Sequence, residues 1–344
     1  MTDPRLALAV AGVVGALLYF LFRPGAGYFW KWYRIRHMSE RVLIEDALKH
    51  LYDCEYQQRQ ATVQSVSGAL AVSGDEAADL LRRIEGRELI ESRQGRVQLT
   101  PSGRDYALRV IRAHRLWERY LSDETGLSEA DWHREAEHQE HALTVAQADA
   151  LAAQMGNPPY DPHGDPIPTQ FGDLPPRRGQ PLTALAVGQL ADIVHVEDEP
   201  EAVYAQLVAE GLHPGMRVQV AEVTPERIRF WGDGEEHVLA PIMAANVSVV
   251  QPVGDHQMEG PFQTLSVMKP GEKATVTGIS RSCRGLERRR LMDLGIVPGT
   301  LIEAEMTSPA GDPIAYRVRE TLIALRQDQA SLVHISPLHK EAVQ

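Results

Sequence analysis

The sequence predicts a multidomain α+β chain, and three features carry that expectation. An uncharged apolar run opens it, apolar residues then recur at helical spacing, and the C-terminal half reads as a strand-rich unit written twice. Its 344 residues allow several domains, and 43% hydrophobic with 24% charged residues is a globular balance. A net charge of −12 excludes binding to nucleic acid or anionic lipid through overall charge and leaves only local basic patches. Two cysteines, Cys54 and Cys283, exclude a disulfide scaffold and a four-cysteine zinc module, and fit a reducing compartment.

Leu6–Phe22 is uncharged and mostly apolar between Arg5 and Arg23. As a helix it spans about 25 Å, a little under a ~30 Å hydrocarbon core. Snorkelling arginines and the aromatic residues Tyr28, Phe29, Trp30, Trp32 and Tyr33 make up the difference. Gly25-Ala26-Gly27 has the form of a cleavage site, but Lys31, Arg34, Arg36 and Arg41 resist translocation. The expectation is a retained single-pass inner-membrane anchor (residues 1–36 with its juxtamembrane segment) and cytoplasmic C-terminal domains.

Val42, Leu43, Ala47, Leu48 and Leu51 predict an amphipathic helix from Arg41 to about Glu55. A second helix is expected over Thr62–Leu70 with Thr62 as N-cap, and a third over Asp75–Arg87. Leu89–Ser92 and Val97–Thr100 flank a polar, glycine-containing tip and predict a β-hairpin. This is winged-helix order, assigned to residues 37–104. The third helix opens with Asp75, Glu76 and Asp79, which oppose phosphate contact or else complement the helix dipole. Arg82, Arg83, Arg87, Arg93 and Arg96 offer phosphate-contact capacity, and Arg82, Arg83, Arg93 and Arg96 are the DNA-contact candidates.

Residues 105–168 are expected to form a helical metal-binding domain. His114 and Glu118 stack one turn apart on a long helix from Thr100 to about Ser122. His133, Glu137, Glu140 and His141 share one face of a helix running roughly from Glu129 to Met155, with His138 off that face. Imidazole with several carboxylates and no thiolate suits Fe2+, Mn2+ or Zn2+, and six such groups can hold two ions. A solvated charged face is the alternative for either helix alone.

This order of motifs resembles the diphtheria-toxin-repressor family of metal-dependent regulators over about residues 40–170. So does Asp161-Pro162-His163-Gly164-Asp165-Pro166-Ile167-Pro168, which resembles that family's linker motif. The resemblance implies a homodimer and two metal sites per subunit. His114, Glu118 and His133 match the ancillary site. Glu137, Glu140 and His141 match the primary site, completed by Asp46 from the first helix. Acids at 46 and 137 imply the oxygen-rich, manganese-type version rather than the iron-type one; Lys49 replaces a Glu of that version. In the family, metal orders the first helix and repositions the recognition helices.

Past a linker at 169–182, two segments align at an offset of about 80–84 residues, Leu207–Gly215 with Leu291–Gly299. Each predicts a small SH3-like β-barrel, at 183–250 and 263–336, separated by a linker at 251–262. The second resembles FeoA, the cytosolic partner of a bacterial ferrous-iron transporter, through Leu291–Gly299, Pro309–Ile314 and Leu322–Arg326. Such domains act by contact, and no nucleophile, P-loop or dinucleotide fingerprint occurs, so no enzyme activity is expected. The function expected is a membrane-tethered, Fe2+- or Mn2+-dependent transcriptional regulator. The alternative is a membrane adaptor that senses metal and regulates a ferrous-iron transporter without binding DNA.

Overall fold

The computed structural model describes Arg5, Tyr19 and residues 40–93, 96–252, 263–280 and 282–336. It divides into two compact units, 1–111 and 112–344, the division falling inside a long helix.

The first unit holds α1 (Glu40–Tyr56), α2 (Val63–Leu70), α3 (Gly74–Glu85), β1 (Ile90–Arg93), β2 (Arg96–Leu99) and the start of α4 (Pro101–Glu124). Caps set the boundaries. The Thr62 side chain accepts from Ser65 N and the Ser73 side chain from Glu76 N, each as half of a capping box. Glu76 returns to Ser73 N at 2.9 Å, and that hydrogen bond lowers its pKa. One acid at the head of the third helix is therefore a cap. Ile44, Leu48 and Leu51 of α1, Leu80, Leu81 and Ile84 of α3, and Ile90 and Leu99 of the hairpin are buried, each worth about 1.5–3 kcal/mol over exposure. Buried Glu45 accepts from Arg41 Nε at 2.7 Å and Tyr106 Oη at 2.8 Å, tying α1 to α4.

The second unit continues α4 and adds α5 (Glu129–Glu140) and α6 (Val145–Gln154). The single helix expected from Glu129 to Met155 is thus two. His141 caps the C-terminus of α5, and Thr144 starts α6 with a capping box to Gln147. Leu116, Ala148, Leu151, Ala152 and Ile167 form the helical core.

The duplicated half is antiparallel throughout. Its first copy comprises β3 (Gln180–Pro181), β4 (Leu190–Val196), α7 (Glu201–Ala209), β5 (Arg217–Val223), β6 (Ile228–Gly232), β7 (Glu235–Leu239), α8 (Pro241–Ala244) and β8 (Val247–Val250). The second comprises β9 (Gln263–Thr264), β10 (Lys273–Ile279), α9 (Gly285–Asp293), β11 (Leu301–Thr307), β12 (Ile314–Val318), β13 (Thr321–Leu325), α10 (Gln327–Ser331) and β14 (Val333–Ile335). Both are six-stranded SH3-like sheets with corresponding strand order, β3-β8-β4-β5-β6-β7 and β9-β14-β10-β11-β12-β13. The register breaks recur too, at Ile193/His195 and Val276/Gly278, and at Val220/Glu222 and Ala304/Met306. Ile193, Leu207, Val218 and Phe230 fill one core as Val276, Leu291, Ile302 and Tyr316 fill the other.

The anchor and the inner-membrane location are corrected. Among the described residues no helix is long and apolar enough to cross a membrane. The longest, α4, has 24 residues but carries Arg104, Asp105, Arg109, Arg112, Arg115, Glu118 and Arg119. Leu6–Phe22, apart from Tyr19, lies outside the described residues.

Candidate metal centre

α4 and α5 bring His114, Glu118 and His133 together, with one donor atom of each within 4.8 Å of the others. His114 Nε2 is 3.0 Å and His133 Nδ1 3.1 Å from Glu118 Oε1, and the two ring nitrogens are 3.3 Å apart. This is the expected ancillary trio, and His114 and Glu118 are fully buried.

Glu118 also belongs to a second group that the sequence did not reveal. Glu118, His163 and Asp198 place one donor atom each within 4.8 Å. His163 Nε2 stands 3.8 Å from Glu118 Oε1, and Asp198 Oδ2 3.6 Å from His133 Nδ1. The His163 ring lies between Trp132 and Tyr204, with centroids 6.1 and 5.0 Å away. Tyr204 Oη donates to Glu129 Oε1 at 2.6 Å and Trp132 Nε1 to Leu127 O at 3.0 Å, so both walls are pinned. His163 Nε2 is buried and has no hydrogen-bond partner among the described residues. A buried imidazole nitrogen aimed at carboxylates but beyond hydrogen-bond distance of them is an arrangement that a cation satisfies.

The loop carrying His163 is built for its position. Asp161 Oδ1 accepts from the backbone N–H of His163, Gly164 and Asp165, each at 2.9 Å. Asp165 is buried, yet Arg115 and His195 beside it hold its carboxyl low. Gly164, at φ +99°, passes so close to β4 that a Cβ would sit 2.0 Å from Val194 O. The register of β4 breaks there, between Ile193 and His195, and Val196 N donates to His163 O at 2.9 Å. Asp198 follows directly on β4. The quoted linker motif is therefore the joint between the helices and the first sheet.

The remaining expected ligands are partly regrouped. Glu140 is buried and bonds His114 Nδ1 through Oε2, while His141 Nε2 lies 3.5 Å from Glu140 Oε1. Glu137, with a side chain 55% exposed, is 3.5 Å from His133 Nε2. His114 thus bridges the two sets kept separate in the sequence. Asp46 lies midway along α1 in the first unit and is half-buried.

Charge within the cluster is balanced by protons. Burial lowers the His133 pKa, but the hydrogen bonds it donates to Glu118 and Glu137 outweigh that and push it up to about 11. His163 is raised as well: burial opposes its charge, and Glu118 and Asp198 more than compensate. Despite burial, Glu118 is held well below the carboxylate range by His114 and His133. The donor set, imidazole nitrogen and carboxylate oxygen without sulfur, fits a borderline-to-hard divalent cation.

Of the basic candidates in the first unit, Arg82 pairs with Asp79, Arg83 with Glu40 at 3.7 Å and Arg93 with Glu91 at 2.8 Å. Arg96 makes no ion pair among the described residues, and all four are exposed.

A winged-helix unit, a helical unit with clustered imidazoles and carboxylates, and SH3-like sheets together have the architecture of metal-dependent regulators. Comparison with known proteins agrees. Residues 100–169 match the family described as "Iron dependent repressor, metal binding and dimerisation domain", and residues 263–337 match the FeoA domain. The iron-dependent repressor IdeR of Mycobacterium tuberculosis is 28% identical over 236 residues, covering 63% of this chain and 100% of that protein. A solved manganese-dependent transcriptional repressor in complex with manganese shares 28% identity at a TM-score of 0.56, over 61% of this chain and 100% of its own. The crystal structure of T. acidophilum IdeR shares 27% identity at a TM-score of 0.51, over 60% of this chain and 97% of its own. The resemblance to the diphtheria-toxin-repressor family is borne out, as is that to FeoA. The expected cofactor class, Fe2+ or Mn2+, agrees with these relatives' names.

Proposed function

We propose that this chain is a metal-dependent transcriptional repressor of the diphtheria-toxin-repressor type, acting as a homodimer. The observation that carries the reading is Glu118, one buried carboxylate shared by His114 and His133 on one side and by His163 and Asp198 on the other. Support also comes from the match of residues 100–169 to a metal-binding and dimerisation domain, and from relatives named as iron- or manganese-dependent repressors.

In this reading His114, Glu118, His133, His163 and Asp198 hold one Fe2+ or Mn2+. Asp46, Glu137, Glu140 and His141 serve the other site, with His114 beside Glu140. When bound, the cation supplies a positive charge that neutralises the carboxylates and replaces the protons now held by His133 and His163. Trp132 and Tyr204 fix the His163 ring, and Asp161 fixes its backbone. Asp198 brings the first SH3-like sheet into the centre. Asp46 links metal to the position of α1, and Arg82, Arg83, Arg93 and Arg96 meet the DNA backbone once α3 is presented to a groove.

Calorimetric titration of the metal-free chain with Mn2+ tests the metal assignment. Two sites per subunit are expected, and Glu118→Gln should weaken binding at least tenfold, in the range seen for lost metal-site partners. Native-like stoichiometry and affinity in Glu118→Gln would contradict it. The competing reading, an adaptor acting on a ferrous-iron transporter, draws on the FeoA match alone.

A further inference from the structure

The two SH3-like sheets meet the helices with the same edge. In the first copy the end of β4 and the face of α7 provide Asp198 and Tyr204 to the metal centre. In the second copy the corresponding segment, the end of β10 and the start of α9, reaches the same neighbourhood. Arg284 Nη1 donates to Pro162 O at 3.3 Å, one residue before His163. Arg289 pairs with Glu124 at 3.3 Å, at the last residue of α4.

The fit is close. Gly285 has φ +55°, and a Cβ there would stand 2.4 Å from Thr125 O and 2.9 Å from Ser122 O. Leu286 N donates to Thr125 O at 3.4 Å, and the Leu286 side chain faces Gly126. The loop that presents Arg284 is itself braced. Arg288 Nη1 donates to the carbonyls of Ile279, Ser280 and Cys283 at 3.3, 3.0 and 3.4 Å. A rigid loop therefore grips both the end of the helix that carries His114 and Glu118 and the strap that carries His163.

We propose that Arg284 is a positioning residue for the metal centre: it holds the Pro162–His163 strap so that docking of the second sheet and filling of the Glu118/His163/Asp198 group favour one another. The inference rests on the metal reading above. His163 Nε2 is 3.8 Å from Glu118 Oε1, a spacing set by the strap, so a strap released at Pro162 loses its aim. Coupling of this kind is reciprocal: what docking adds to metal affinity, metal adds to docking.

The test uses the full chain and Mn2+ as probe, with affinity from calorimetry and docking from amide hydrogen exchange. Arg284→Ala should bind Mn2+ about tenfold more weakly, within the usual span of coupling between sites. Arg284→Lys, which keeps a donor for the Pro162 carbonyl, should recover most of that loss. In the native chain Mn2+ should slow exchange at Leu286–Met292, and in His163→Ala it should not. Retained exchange protection in β10 and β11 shows that the Arg284→Ala sheet is folded. Arg289→Ala, which removes only the exposed pair with Glu124, provides a second variant with an expected loss of about threefold. Native Mn2+ affinity in both alanine variants, with His163→Ala impaired, overturns this proposal and leaves the metal reading intact. Native affinity in His163→Ala overturns the metal reading itself.

Discussion

Gly164→Ala is a small change with a calculable cost. The position has φ +99°, where a side-chain-bearing residue costs about 1–3 kcal/mol. The new Cβ would lie 2.0 Å from Val194 O, 2.8 Å from His195 Cα and 2.9 Å from Val194 C, all of them backbone. Ordinary contact begins near 3.4 Å, so strap and strand must separate by about 1.4 Å. β4 cannot yield, because β5 and β8 pair it on both sides. The strap moves instead and gives up the Val196 N to His163 O bond, worth about 1 kcal/mol. The expected loss of stability is about 2–4 kcal/mol. Because His163 travels with the strap, Mn2+ affinity should fall at least tenfold, as for other lost metal-site supports. Urea unfolding of the metal-free chain and an Mn2+ titration of the folded variant measure the two effects. A variant within about 0.5 kcal/mol of native stability, with native Mn2+ affinity, would refute the reasoning.

His114→Ala should impair both metal sites, since its ring touches Glu118 and Glu140, whereas His141→Ala should impair one; equal stoichiometry in the two variants would contradict that division. Metal affinity should rise with pH through the range 6–8, because His133, pushed up to about 11, and His163, also raised, must each release a proton. The sign for folding is opposite. The metal-free chain keeps the stability from these protons at low pH and loses it as pH rises toward about 11, which unfolding at stepped pH would show. Arg93→Ala with Arg96→Ala should weaken DNA binding about equally for all sequences and reduce the salt slope by about one per arginine; loss confined to one operator would point to base contacts instead.

Much of the fold is legible locally. The period of Ala47, Leu48 and Leu51 marks α1, and the caps at Thr62 and Ser73 sit beside their own partners in sequence. The repeat is legible because each copy must fill its core with the same pattern, Leu207 answering Leu291. The break between α5 and α6 was there to read in Thr144-x-x-Gln147, a capping box that a continuous histidine and glutamate face obscured. His114 and Glu118 were visible because helical spacing stacks them on α4, whereas His133, on α5, joined them only through the family resemblance. His163 was visible as part of a motif but not as a ligand, because its role depends on Trp132, Tyr204 and Glu118 meeting around it. Asp198 had no local signal at all: only docking of the first sheet brings it to His133. Glu140 was assigned by its helix face to His141, which lies 3.5 Å from its Oε1, and tertiary packing adds His114 at its other oxygen.

The central claim, that metal held at Glu118 licenses DNA binding, is tested most directly by titrating the full chain against DNA upstream of its own gene, with and without saturating Mn2+, at two salt concentrations. The account predicts metal-dependent binding tighter than the non-specific range of roughly 10⁻⁴–10⁻⁶ M, weakening as salt rises, and requiring more Mn2+ in Glu118→Gln. Absence of binding at low salt with the metal sites filled, or equal binding with and without metal, would contradict it.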